Sequence, residues 1–170
     1  MKIKNFRGLF ETGLRYLHDC EEKLVEKGIP RMIEASSSSE LHSAFEQHLE
    51  EMRTHVTRLE RVFKLIGAEA KKEDNGIIDE ITDAADDIIS ATEDGTPLRD
   101  AALILSGNEV EHYEMAAYGS LASFARQLGM PEAVGLLEQT LNDEKAADAR
   151  LTEIGETIVN PQAAQERRAA

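Results

Sequence analysis

Four glutamates occupy positions where a helical protein can do metal chemistry. Glu21 and Glu51 are 30 positions apart, and so are Glu114 and Glu144. An offset of 93 residues maps the first pair onto the second, and it also carries His55 onto Asp148. Each acid lies on or beside a helical stripe of apolar residues. Glu21 interrupts Phe10, Leu14, Leu17 and Leu24, while Glu144 and Asp148 interrupt Leu137, Leu141 and Leu151. The stripe Leu41, Phe45, Met52, Leu59, Val62 and Ile66 contains His48 and His55, with Glu51 one turn from each. Glu114 shares a face with Leu103, Val110, Ala117 and Leu121, and Glu111 shares one with Ile104, Met115 and Tyr118. For any one of these side chains the ordinary alternative is a helix-edge charge that reaches solvent. A carboxylate kept in a core must instead be protonated, paired or bound to a cation.

The elements that carry these residues are punctuated clearly. A helical pattern spans about residues 3–35, with Gly28 and Pro30 expected to kink it or split off its last turn. Ser37 and Glu40 have capping-box spacing and open a second helix, which Gly67 should stop. A polar loop leads to a shorter helix, about 77–92. Pro97 then starts a third long helix that runs to Gly129, and Pro131 starts a fourth expected to end near Val159. The expected single domain is 1–160, with a flexible tail over 161–170. Short links near Ser38 and Gly129 make two antiparallel hairpins, and the long middle connection can return along the bundle. The predicted fold is therefore all-α, a ferritin-like four-helix bundle with one crossover and an additional short helix in it.

That topology brings the acids to one level. Glu21 and Glu51 lie 15 and 13 residues from their hairpin turn, as Glu114 and Glu144 do from theirs. At about 1.5 Å per residue each is roughly 20 Å from a bundle end, the middle of helices roughly 40 Å long. Four glutamates meeting there would repel or protonate, and two metal ions would relieve them. Di-metal bundles commonly carry Glu-x-x-His on two helices. Here Thr54 and Ala147 occupy the histidine positions. His48 precedes Glu51 by three and offers an imidazole on the other side, at the end where Glu111 also lies. His55 is a ligand or a partner of a ligand, and His112 is expected to face solvent or pair with a carboxylate.

Composition agrees with helices and narrows the partners. Aromatics are 5%, Trp is absent and there are four Pro, which suits helix over sheet. A net charge of −14 argues against nucleic acid and against an anionic membrane surface. The lone Cys20 excludes an intrachain disulfide and a Cys-rich zinc module. Residues 1–10 lack the apolar run of a signal peptide and no stretch approaches a membrane span, so the expected compartment is the cytoplasm.

Three segments, residues 44–51 (AFEQHLEE), 110–119 (VEHYEMAAYG) and 141–145 (LNDEK), resemble the YciE/YciF branch of the ferritin-like superfamily, as does 99–104 (RDAALI). The resemblance covers nearly the whole chain. It implies Glu21, His48, Glu51, Glu111, Glu114 and Glu144 as the metal-site set, and departs at His55, where members often have Gln. It also implies a link to stress responses, sometimes with a ferroxidase label. Three functions compete. One is redox chemistry at two metal ions, iron first and manganese second, with oxygen or peroxide as a small oxidant. Tyr113 and Tyr118 are then either electron relays or packing residues. The second is a metal-stabilised structural or stress-interaction protein. The third, iron storage, needs a closed shell of subunits. A homodimer is expected from the resemblance and from Ile77, Ile78, Ile81, Ile88 and Ile89 on the short helix.

Overall fold

The computed structural model describes residues 3–166. Among the described residues there are seven α-helices: α1 (Phe6–Lys23), α2 (Ile29–Ala35), α3 (Ser39–Leu65), α4 (Gly76–Ala91), α5 (Pro97–Gln127), α6 (Pro131–Ile154) and α7 (Asn160–Glu166). They assemble into four long rods, α1–α2, α3, α5 and α6–α7, with α4 lying on the crossover between the second and third. The ferritin-like bundle expected from the hydrophobic pattern is the fold observed. Among the described residues, no helix is long and apolar enough to cross a membrane.

Two rods continue where the sequence pattern predicts an interruption. Leu24–Gly28 and Gly155–Val159 are π-helical turns that join α1 to α2 and α6 to α7. In each, the residue after the turn bonds five positions back, Ile29 N–H to Leu24 O and Asn160 N–H to Gly155 O. A proline comes next in both cases, Pro30 and Pro161. Proline has no N–H to give, and the wide turn shifts the hydrogen-bond register just before it. The last rod thus passes Val159 and reaches Glu166. The remaining positions of the expected tail, 167–170, lie outside the described residues.

The crossover is set at one bundle end by Asp100, a residue that the sequence pattern does not single out. Its carboxylate accepts hydrogen bonds from Ser37 N–H at 2.8 Å, Ser38 N–H at 2.9 Å and Ser37 Oγ at 2.7 Å. The first turn of α5 is thereby fastened to the loop that starts α3, so the two helices begin at the same end and run parallel. This contact also corrects the expected cap. Ser38, not Ser37, accepts from Leu41 N–H at the start of α3, because the Ser37 hydroxyl is committed to Asp100. At the other end, Arg7 Nη2 donates to Ile66 O at 2.6 Å, holding the start of α1 against the end of α3.

Helix α4 spends more of its apolar stripe on its own chain than expected. Ile78 is fully buried, Ile81 and Ile89 pack against the core, and Ile77 is the isoleucine left well exposed, at 59%. Since α4 covers α5, the third long rod is enclosed on several sides. That explains why its apolar residues fall on two faces rather than one stripe. Lys23 of α1 holds the incoming loop and α4 through Asp74 at 3.2 Å and Asp79 at 2.6 Å.

Replacing Asp100 with Ala removes the buried acceptor of two partly exposed backbone donors, Ser37 N–H and Ser38 N–H, which should cost roughly 1–2 kcal/mol. Urea unfolding of Asp100→Ala is expected to show that loss, with helix content in the folded baseline unchanged.

Candidate metal centre

The apolar interior is divided in two. One part is built around Leu24, Met32, Phe45, Leu103 and Ile154, the other around Phe10, Leu14, Phe63, Leu121 and Leu137. Between them lies a polar layer contributed by all four rods. Glu21 comes from α1, His48 and His55 from α3, Glu111 and Glu114 from α5, and Glu144 from α6, and every one of these side chains is buried.

Two triplets within this layer have atoms close enough to share an ion, Glu21–His55–Glu144 and His48–Glu111–Glu144. Glu144 belongs to both. His55 Nδ1 lies 3.0 Å from Glu144 Oε1 and 3.5 Å from Glu21 Oε1. His48 Nε2 lies 3.1 Å from Glu111 Oε1 and 3.7 Å from Glu144 Oε2. These are ion-pair distances, but the ring nitrogens are not aligned as hydrogen bonds. Both nitrogens of His48 and His55, both oxygens of Glu144 and one oxygen each of Glu21, Glu111 and Glu114 are buried without a hydrogen-bond partner. So many orphan donor atoms at one level are costly unless something else satisfies them. Imidazole nitrogens and carboxylate oxygens around two shared points suit two first-row divalent ions.

The electrostatics of the layer follow from burial and from the proximity of its carboxylates to its imidazoles. Burial opposes charge on both histidines, but the neighbouring carboxylates outweigh it. Glu111 and Glu51 raise His48 well above the usual imidazole range, and Glu144 and Glu21 push His55 up to about 10. Burial, then the charges of Glu21, Glu144 and Glu111, lift Glu114 far above the ordinary carboxylate range. Glu144 is pushed up to about 7 by burial, even though His55 pulls the other way. The shifts of both imidazoles and of Glu114 all run in the direction that favours the protonated form.

The sequence-derived residues are distributed unevenly around this layer. Glu21, His48, Glu111 and Glu144 fall within the triplets. Glu114 is buried at the same level, with the Cys20 thiol donating to its Oε1 at 3.6 Å. Glu51 stands apart at the surface, its side chain 37% exposed. Its Oε2 is 3.6 Å from His48 Nδ1, while Oε1 accepts from Gln47 Nε2 at 2.8 Å. Interaction with His48 holds the Glu51 carboxyl down to about 2. His55 is fully buried inside a triplet, with Asp143 Oδ2 3.4 Å from its Nε2. His112 is exposed and pairs with Asp148 at 3.2 Å, one of its two expected roles.

Several contacts lie outside the reach of pattern reading. Tyr118 is buried and donates its hydroxyl to Glu21 Oε1. Tyr113 instead accepts from Asn75 Nδ2 at 2.7 Å, away from the triplets. Asn75 also binds Tyr16 O and Asp19, sealing the α1–α5 side of the bundle with the crossover loop. Cys20 follows Leu17 by three on the α1 stripe, and that spacing could have placed it beside the acids.

Comparison with known proteins agrees with this architecture. Residues 5–164 match the family described as a domain of unknown function, DUF892. Protein YciF of Escherichia coli K12 is 34% identical over 164 residues, covering 96% of this chain and 98% of that protein. The crystal structure of the E. coli stress protein YciF superposes with a TM-score of 0.87 at 34% identity, covering 92% of this chain and 98% of that one. YcfI of Rhodopseudomonas palustris, whose description offers a structural role, superposes with a TM-score of 0.85 at 34% identity, over 89% of this chain and 95% of that one. With a match across nearly its full length and the same bundle, this chain belongs to the YciF-like DUF892 family.

Proposed function

We propose that this protein is a di-metal carboxylate protein that binds two iron ions, with manganese the alternative, and oxidises Fe(II) or reduces peroxide under stress. The observation that carries the reading is the pair of buried triplets sharing Glu144, with nine donor atoms that have no hydrogen-bond partner in the protein. When bound, two such ions would supply one-electron steps and open positions for a small oxidant. The residues do the rest. His48 and Glu111 would hold one ion, His55 and Glu21 the other, and Glu144, which belongs to both triplets, would contribute to each. Tyr118 fixes the orientation of Glu21 through its hydroxyl. The stress assignment of YciF supports the physiological setting, and the cytoplasm is a compartment where Fe(II) is available.

A second reading has an observation of its own. The raised histidines and Glu114 give the layer a way to hold together with protons alone, and one relative is described as structural. In that case the layer would be a polar staple between helices and the protein a structural or stress-interaction component. Stopped-flow measurement of Fe(II) oxidation decides between them. The protein should accelerate oxidation at least roughly tenfold over a Glu51→Ala, Glu144→Ala variant, which loses the carboxylate common to both triplets and the one facing His48. Equal rates for the two would leave the structural reading standing.

Protonation gives an independent check. His55, with its folded value raised to about 10, stabilises the metal-free fold fully below its unfolded value near 6.5, and the contribution fades as pH rises through 10. Glu144, raised to about 7, stabilises below about 4.5 and fades as pH rises through 7. Both signs agree, so the metal-free protein should melt at a lower temperature at pH 9 than at pH 6. Metal requires deprotonated imidazole, so Mn(II) affinity should rise with pH over the same range. Thermal melts with and without Mn(II) measure both trends.

For assembly we propose a homodimer. Ile77 on α4 and the exposed cluster of Ile3, Phe6, Leu9 and Tyr16 near the start of α1 supply apolar surface for it. Light scattering should give twice the chain mass. A mass of many subunits would favour iron storage instead.

A further inference from the structure

The polar layer is enclosed on most sides, and the structure contains a cavity that joins it to solvent. On the α1–α5 side, Asn75 and the crossover loop close the bundle. On the α3–α6 seam the His55 end is bridged by Arg58, which reaches Asp143 and, at 3.3 Å, Thr140 Oγ1. One to two turns along the same seam, at the His48 end, a cavity of about 140 Å³ runs inward. His48 and Glu111 form its floor, and Ala44, Ala146 and Ala147 keep its walls low. Glu51, Gln47 and Arg150 line its mouth.

The mouth is crossed by a chain of side chains. Arg150 on α6 donates to Gln47 Oε1 on α3, and Gln47 Nε2 donates to Glu51 Oε1. Among the described residues, no carboxylate lies within ion-pair distance of Arg150, in contrast to Arg58 on the same seam. The Arg58 bridge is an ion pair over a closed seam, whereas the Arg150 bridge is held by a neutral amide over an open one. An amide partner is given up more readily than a carboxylate. Glu51 then occupies a stepping position: one face meets solvent, while its Oε2 is 3.6 Å from His48 Nδ1.

We propose that the α3–α6 cavity is the route by which divalent metal ions enter, with Glu51 as the receiving carboxylate and the Arg150–Gln47 bridge as a strap that must swing aside. The proposal rests on the metal-site reading above and adds to it the path and the order of contacts: solvent, Glu51, then His48, Glu111 and Glu144. Glu51 is a positioning residue here, which accounts for its standing outside both triplets while facing one of them.

Stopped-flow absorbance of Co(II) binding to the metal-free full-length protein tests the route without any turnover. Ala147→Phe fills the cavity from a partly exposed position and is expected to slow association roughly tenfold or more, with the equilibrium dissociation constant little changed. Arg150→Ala opens the strap on an exposed residue and should speed association severalfold. It carries the test alone if Ala147→Phe does not fold, as judged by circular dichroism. Wild-type association rates in the folded variants would overturn the route while leaving the metal site intact. Failure of the wild-type protein to bind Co(II) would overturn the metal-site reading, and the route with it.

Discussion

Burying carboxylates in the middle of a helical bundle is the constraint on which the rest of this structure depends. Glu21, Glu111, Glu114 and Glu144 are withdrawn from water at one level, and each must find a proton, an imidazole or a cation there. The interior is consequently two apolar cores separated by a polar layer. Those cores hold the four rods in register, and the register in turn brings the triplets together. A bundle slipped by one turn would leave Glu144 facing leucines rather than His48 and His55.

The same constraint explains the protonation pattern. The neighbouring carboxylates raise both imidazoles above their ordinary value, and burial with the surrounding acids raises Glu114, so the proton affinity of each group is set by its partners across the layer. A metal ion would have to displace protons from the same atoms. The π-turns fit here too, because they let the outer rods pass Pro30 and Pro161 without breaking the walls around the layer.

Peripheral contacts serve the layer by holding its walls. Asp100 fastens α5 to the start of α3, and Asn75 and Lys23 fasten the crossover over α1 and α5. None of these touches the triplets, yet each fixes a rod that carries one of their members. A crossover connection is long, and its closure entropy must be offset by such contacts at its two ends.

Much of this was legible in the amino-acid order alone. Apolar spacing along each rod defines which face is buried, and an acid or histidine within that spacing is buried with it. Glu21, His48, Glu111, Glu114 and Glu144 were therefore readable, as was the shared height that follows from equal distances to two turns. The sequence could not show which acids lie close enough to form one candidate triplet. That depends on side-chain reach and helix rotation across the bundle, which set His55 inside a triplet and left Glu51 at the mouth of a cavity. The contacts of Asp100, Asn75 and Tyr118 join residues 38 to 97 positions apart, and local periodicity carries no information about such pairs. The sequence determined that carboxylates and imidazoles would be buried together in the bundle's middle. The tertiary structure alone decided their partners, because partnership is a matter of a few ångströms between rods whose order along the chain says nothing about their rotation.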